Sequence, residues 1–202
     1  MPSLVEPAIV AGSLSASAQP VLVAGPIMLR PWADDDVPAV VSAYAESEIQ
    51  RWHARSMSPD EASRWVAEAA SAWVSEAAAS WAVDIEGTLE GRMTLTFDLT
   101  DGSAEAASWT RAASRGRGIA SRALHRATVW ALSVGMHRVE LEHSTRNPGS
   151  CRVATRAGFT AEGTRRDGAL YADGWHDMHV HAKVSAGSEL GEMSSSLRTV
   201  EC

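Results

Sequence analysis

Two arginines alternate with two glycines at Arg115-Gly116-Arg117-Gly118, directly before a run whose apolar residues recur at helical spacing. A helix N-terminus presents backbone N–H groups with no partner inside the helix, and it carries a partial positive charge. Glycine lets such a backbone adopt unusual dihedrals and come close to a ligand. With two guanidinium groups beside it, the segment from Arg115 to Ile119 and Ala120 has the chemistry of a phosphate or pyrophosphate cradle. The same pattern alone would also describe a tight strand-to-helix turn. Glu105, on a strand-like stretch just upstream, could serve as a general base, or as an ordinary strand acid paired with an arginine. Ser150 opens a short helical stretch, where its hydroxyl could cap the helix. Asn147, before Pro148, could bond a ligand or fix the turn.

Other reactive side chains carry less. Cys151 stands beside Ser150, but nothing pairs it with a base, and in a helix it reads as a small buried hydrophobe. His176, His179 and His181 fall close together, and on a strand His179 and His181 share a face. No cysteine or carboxylate spacing completes a ligand set, so no metal is expected.

The elements that position these residues are legible as periods. A strand at 27–32 is followed by Asp34, Asp35 and Asp36, acids that favour a helix start. Val37, Val40, Val41 and Tyr44 then share one helical face. Ser58-Pro59-Asp60-Glu61 is a capping box ahead of Ala62, Trp65, Val66, Ala69 and Trp73, a second apolar stripe. Strands follow at 81–85, 91–99 and 104–110, separated by turns at Glu86-Gly87 and Asp101-Gly102. A helix spans 118–134 and ends at Gly135. A strand at 138–143, a short helix at 148–157, and strands at 159–163 and 178–184 complete the order, the last two joined by a loop carrying Trp175. This predicts an α/β layer with helices on both faces of a mixed sheet.

The chain has 202 residues, 45% of them hydrophobic, and a net charge of −7. One globular domain at 27–184 is expected, with a flexible N-terminal arm at 1–26 and a flexible C-terminal tail at 185–202. The acidic balance argues against nucleic acid as a partner, since phosphate binding needs cations, and it suits a cationic acceptor. No apolar run reaches the length of a membrane span, and the opening residues lack the basic start of a signal peptide. With two cysteines and no disulfide framework, a cytoplasmic location is expected.

About thirty residues past the glycine pair, Asn147, Ser150, Val153, Gly158 and Phe159 fit the pattern N-x-x-S-x-x-V/L-x-x-x-x-G-F. Here the chain resembles the GNAT superfamily of acyltransferases, whose pyrophosphate motif, Q/R-x-x-G-x-G/A, is met by Arg115, Gly118 and Ala120. Ala104, Glu105 and Trp109 match the A-E-x-x-x-W strand of the branch that acetylates ribosomal-protein N-termini. Leu29-Arg30-Pro31-Trp32, Ile49-Gln50-Arg51-Trp52 and Trp175-His176-Asp177 are similar to that branch too. The resemblance covers 28–184. It implies a mostly antiparallel sheet whose two central strands splay apart, and acetyl-CoA or another acyl-CoA as co-substrate. Pantetheine would bond to backbone at Trp109, Thr110 and Arg111, and the pyrophosphate would sit on Arg115, Gly116, Arg117, Gly118, Ile119 and Ala120. Asn147 would touch the pantetheine arm, Ser150 would donate to the leaving sulfur, and Glu105 would be the base. Many relatives carry a tyrosine in the helix after Asn147, and residues 151–159 hold none. Trp52, His53, Trp175 and His176 would line the acceptor cleft. The expected acceptor is a small-molecule amine, such as an antibiotic or biosynthetic intermediate, or a peptide or protein N-terminus. A homodimer is compatible with the resemblance. A carrier-protein acyl donor, or a non-catalytic acyl-CoA-binding module, are the alternatives.

Overall fold

A computed structural model describes the chain from residue 4 to residue 185. Strands β1 (Leu22–Ala24) and β2 (Ile27–Pro31) lead into helices α1 (Val37–Tyr44), α2 (Ser47–His53) and α3 (Pro59–Val74). Strands β3 (Ala78–Ile85), β4 (Thr88–Asp98) and β5 (Ser103–Thr110) form a meander, followed by α4 (Ile119–Ser133) and β6 (Arg138–Ser144). Helix α5 (Pro148–Arg156) and the hairpin β7 (Thr160–Tyr171) and β8 (Gly174–Val184) close the domain. The strands make one open sheet in the order β1-β2-β3-β4-β5-β6-β8-β7. Neighbours run antiparallel except β5 and β6, which are parallel and pair only at Ser103↔Arg138, Ala104↔Val139 and Glu105↔Glu140.

Strand alternation distributes side chains to two cores. On one face Leu29, Trp81, Met93, Leu95, Ala106 and Leu141 pack against α4 and α5. On the other, Ala82, Leu89 and Trp109 meet Val40 and Tyr44 of α1 and Val66 of α3. The sequence-predicted α/β sheet with helices on both faces is therefore the fold adopted. The capping box forms: Ser58 Oγ accepts from the Glu61 N–H at 3.3 Å, and Glu61 accepts from the Ser58 N–H at 2.8 Å. Asp36 does more than favour a helix start. With Asp84 it clamps Arg30 at 2.7 and 3.1 Å, tying β2, α1 and β3 together. That pair of carboxylates raises the Arg30 guanidinium above its ordinary pKa, and Arg30 in turn holds Asp36 down against the opposing effect of burial.

Two expectations are corrected. Residues 4–26, read as a flexible arm, lie against the domain. Ile9 and Leu14 are buried in the main core, and residues 22–24 extend the sheet as β1. The cause is long-range and invisible to periodicity. The Glu76 carboxylate accepts backbone N–H groups of Gly12, Leu14 and Ser15 at 2.5, 2.6 and 2.8 Å. Trp73 and Trp81 donate their indole N–H groups to carbonyls of Ser17 and Pro20. The loop expected between the last strands is instead a long hairpin, with irregular register between Arg165 and Ala169. Its polar residues are exposed beyond the sheet body, so no buried alternation marks them as strand. Of the expected C-terminal tail only Ser185 is described, and 186–202 lie outside the described residues.

Burial acts to raise the Glu76 carboxyl, but the three backbone donors outweigh it and hold it below the usual range. Glu76→Ala would leave those donors without their acceptor, a loss of roughly 2–4 kcal/mol. The expected outcome is an unfolding temperature lower by about 4–10 °C, with proteolysis beginning in the first twenty residues.

Candidate active site

The glycine loop leaves β5 and enters α4 through two left-handed residues, Gly116 (φ 77°) and Gly118 (φ 73°). A Cβ at either would meet no atom within 4 Å, so the backbone dihedral, not crowding, calls for glycine. Gly118 is the N-cap of α4 and supplies no side-chain cap, which leaves the first-turn N–H groups of a 15-residue helix facing outward. The flanking cations are held loosely. Arg115 lies 3.7 Å from Glu46, and Arg117 lies 3.8 Å from Glu90, both on exposed side chains where such pairs are weak. Arg111 is different. It donates to Glu46 at 2.8 Å and to Ser42 Oγ at 2.8 Å, so it fastens the loop to the α1–α2 junction. Beside the α4 N-terminus a groove of about 450 Å³ is lined by Ser121, Arg122, His125, Arg126 and Arg156.

Past Glu105 the parallel pairing stops, although β5 runs on to Thr110 and β6 to Ser144. Each strand stays paired on its outer edge, β5 with β4 and β6 with β8. Residues 106–110 and 141–144 therefore face each other across a gap edged by backbone N–H and C=O groups, the arrangement that accepts an added strand or an amide-bearing chain. At the mouth of the gap Asn147 caps α5, accepting from the Ser150 N–H at 3.1 Å. Ser150 thus sits in the first turn of α5 but is not the cap itself, and its hydroxyl is not committed to that role.

Glu105 projects from β5 to the α1–α3 side of the sheet, near Glu140 and Glu142. Partial burial and the charges of Glu142 and Glu140 raise its pKa, against the pull of Arg165. Arg165 is bound to Glu142 at 2.6 Å. The same side holds Trp52, which meets Tyr171 edge to face at 5.9 Å, and His53, 6.3 Å from the Tyr44 ring. Burial, then the nearby Arg92 and Arg55, push His53 down to about 4 against a backbone bond to Ser108. The expected lining residues do not all converge. Trp175 is 59% exposed at the hairpin. His176 is buried, with Nδ1 2.7 Å from Ser144 Oγ, Nε2 2.8 Å from Asp173 and its ring stacked on Tyr171. It ties the hairpin to the loop after β6, so any effect on the cleft passes through Tyr171 and Ser144.

Sequence reasoning missed Tyr171, Arg92 and the polar side of β4. Alternation at 91–99 brings out only the apolar face, Met93, Leu95, Phe97 and Leu99. The opposite residues, Arg92 among them, lie under α1–α3, a signal available once helices cover both faces. The fold also gathers side chains that are distant in the sequence. The rings of His143, His179 and His181 and the sulfur of Cys151 have atoms within 4.8 Å of one another, on the α5 side of β6 and β8. His143 Nε2 and His181 Nε2 are 3.1 Å apart, a contact that requires at least one neutral ring. Burial lowers the pKa of both, with neighbouring histidines adding to the effect, and His181 falls to about 4.

A gap between diverging central strands, a glycine loop and an uncapped helix define an acyltransferase fold of one kind. The chain belongs to the GNAT acetyltransferase family: the acetyltransferase (GNAT) domain matches residues 27–160. Among solved structures, RimL, an alpha-N-acetyltransferase of a ribosomal protein in complex with coenzyme A, superposes with a TM-score of 0.76 at 20% identity, over 82% of this chain and 98% of its own. Mycobacterium smegmatis RimJ in complex with CoA-disulfide gives 0.76 at 18% identity, covering 90% of both chains. The microcin C7 self-immunity acetyltransferase MccE, in complex with acetyl-CoA and AMP, gives 0.73 at 18% identity over 79% and 93%. At these identities the likeness is one of fold. No curated protein matches the chain.

The lowered histidines fix a pH dependence of stability. A group whose folded pKa lies below its unfolded value of about 6.5 binds fewer protons when folded, so stability rises with pH between the two values. His53, His143 and His181 all act this way, while Glu105, raised, acts in the opposite direction at lower pH. The unfolding temperature is expected to be level above pH 7 and to fall as pH drops from about 6.5 toward about 4. The fall should be shallower in His181→Gln. A flat profile between pH 7 and 5 would contradict the burial of neutral imidazoles.

Proposed function

We propose that the chain transfers an acetyl group from acetyl-CoA to a primary amine by direct attack in a ternary complex. The observation that carries this is the gap between β5 and β6 opening beside the uncapped N-terminus of α4. Pantetheine has the amide groups to bond to strand edges at 106–110, and a pyrophosphate suits the first-turn N–H groups of Ile119 and Ala120 with Arg115 and Arg117. The arginine-lined groove at Arg122, Arg126 and Arg156 suits the phosphorylated nucleotide end. That set of cations favours CoA over a carrier-bound pantetheine, which lacks the nucleotide.

The chemistry asks for three things. An alkyl amine keeps its proton at neutral pH and must lose it before it can attack. Glu105, with its raised pKa, is the base, directly or through a water. The carbon–nitrogen bond then forms, the carbon–sulfur bond breaks, and strand N–H groups at the gap stabilise charge on the carbonyl oxygen. The thiolate leaves with a hydrogen bond or proton from Ser150. The acceptor enters on the α1–α3 side, past Trp52, His53 and Tyr171, a lining that suits a compact organic amine. A second reading, a peptide or protein N-terminus, is favoured by the activity named for RimL.

Release of CoA thiol in a panel of peptides, aminoglycosides, polyamines and amino-acid-like amines tests the proposal. Acceptor-dependent release is expected, and none from any class would count against it. Glu105→Gln is expected to lower kcat by about 10²–10⁴ with the dissociation constant for acetyl-CoA unchanged. Arg115→Ala with Arg117→Ala should instead weaken acetyl-CoA binding by roughly tenfold or more.

A further inference from the structure

Arg92 is a cation without an anion. It lies on β4 facing α1–α3, and among the described residues no carboxylate is within ion-pair distance of it. Its Nε is buried and unpaired. Its Nη1 has one long contact, 3.4 Å, to the Tyr44 hydroxyl, and its guanidinium lies 5.9 Å from the Trp65 ring centroid. Directly across the strand pair is Trp109, 5% exposed, whose indole Nε1 is also buried and unpaired. Two buried N–H donors on paired residues thus have no acceptor among the described residues, in a chain that carries 25 acidic residues. Leaving two N–H donors buried in this way is costly unless something else supplies the acceptor. The local field agrees. Arg55 adds a second positive charge, and both arginines disfavour a proton on His53.

The other end of this face has the opposite sign, with Glu105, Glu140 and Glu142 gathered where the strands diverge. Arg92 pairs with Trp109, and Thr96 pairs with Glu105, so four residues separate the two ends along each strand. At strand rise that is about 13 Å.

We propose that the acceptor is zwitterionic, with its amine at Glu105 and an oxyanion, carboxylate or phosphate, about 13 Å away on the Arg92 Nε and Trp109 Nε1 donors. A peptide of about four residues with a free C-terminus spans this distance, as does an extended long-chain aminoalkyl phosphate. The turnover part of this inference rests on the acyltransfer reading above, and its binding part does not.

Two matched pairs test it: a tetrapeptide acid against its C-terminal amide, and a long-chain aminoalkyl phosphate against the corresponding amino alcohol. Calorimetry on the full chain reads binding without acetyl transfer, and thiol release with acetyl-CoA reads kcat/KM. The anionic member should be preferred at least about tenfold in both, and the preferred pair identifies carboxylate or phosphate. Arg92→Leu should erase the preference and raise the unfolding temperature, because it removes a cation whose buried Nε has no acceptor. Trp109→Phe should reduce the preference while keeping an aromatic ring. Equal behaviour of anionic and neutral partners, no binding of either anion, or a preference that survives Arg92→Leu would each overturn the proposal. Preference absent from turnover that nonetheless occurs with neutral amines would remove the oxyanion site and leave the acyltransferase reading standing.

Discussion

Three residue pairs of parallel strand are the hinge on which this structure turns. Between β5 and β6 the ladder runs only from Ser103 to Glu105, and then each strand keeps its outer partner while the inner edges separate. An unpaired strand edge inside a domain is unfavourable on its own, since buried N–H and C=O groups need partners. The fold sustains it because both flanking ladders are continuous and because α4 and α5 pack over the same face. Everything chemical is arranged around that opening. Glu105 marks its closed end, Asn147 and Ser150 border β6, and the glycine loop lies at the far end of β5.

Charge is partitioned accordingly. Cations that are exposed and loosely paired, Arg115 and Arg117, surround the α4 N-terminus, whereas Arg111 and Arg30 are spent on structure through close carboxylate contacts. Carboxylates collect on the opposite side of the sheet around Glu105, where partial burial and the charges of Glu142 and Glu140 disfavour its ionisation. Their mutual repulsion is tempered by Arg165 and Arg138, which bind Glu142 and Glu140. Glu105 is left without such a close partner among the described residues, and a carboxylate in that position is better suited to taking a proton than one locked in an ion pair.

Much of this was legible in the sequence because it is local. The capping box at Ser58, the stripe Ala62, Val66, Ala69 and Trp73, and the glycine-to-helix junction at Gly118 each need only a few consecutive residues to specify them. What sequence reading missed is set by contacts between distant segments. The packing of residues 8–24 depends on Glu76, Trp73 and Trp81, sixty residues away, and no period in the first segment announces it. Arg92 was hidden by the apolar residues alternating with it, and the histidine cluster by the crossing of α5 over β6 and β8. His176 shows the same limit from the other side: its place in the chain pointed to the cleft, while a hydrogen bond to Ser144 and stacking on Tyr171 bury it.

Backbone hydrogen exchange with and without acetyl-CoA tests the central claim most directly, because it reads the very N–H groups that the diverging strands and the α4 N-terminus leave without partners. Slowed exchange on acetyl-CoA binding, confined to 106–110 and 118–121, is the predicted result. Unchanged exchange in both segments despite saturating acetyl-CoA, or protection confined to other strands, would contradict the assignment of the gap as the donor site.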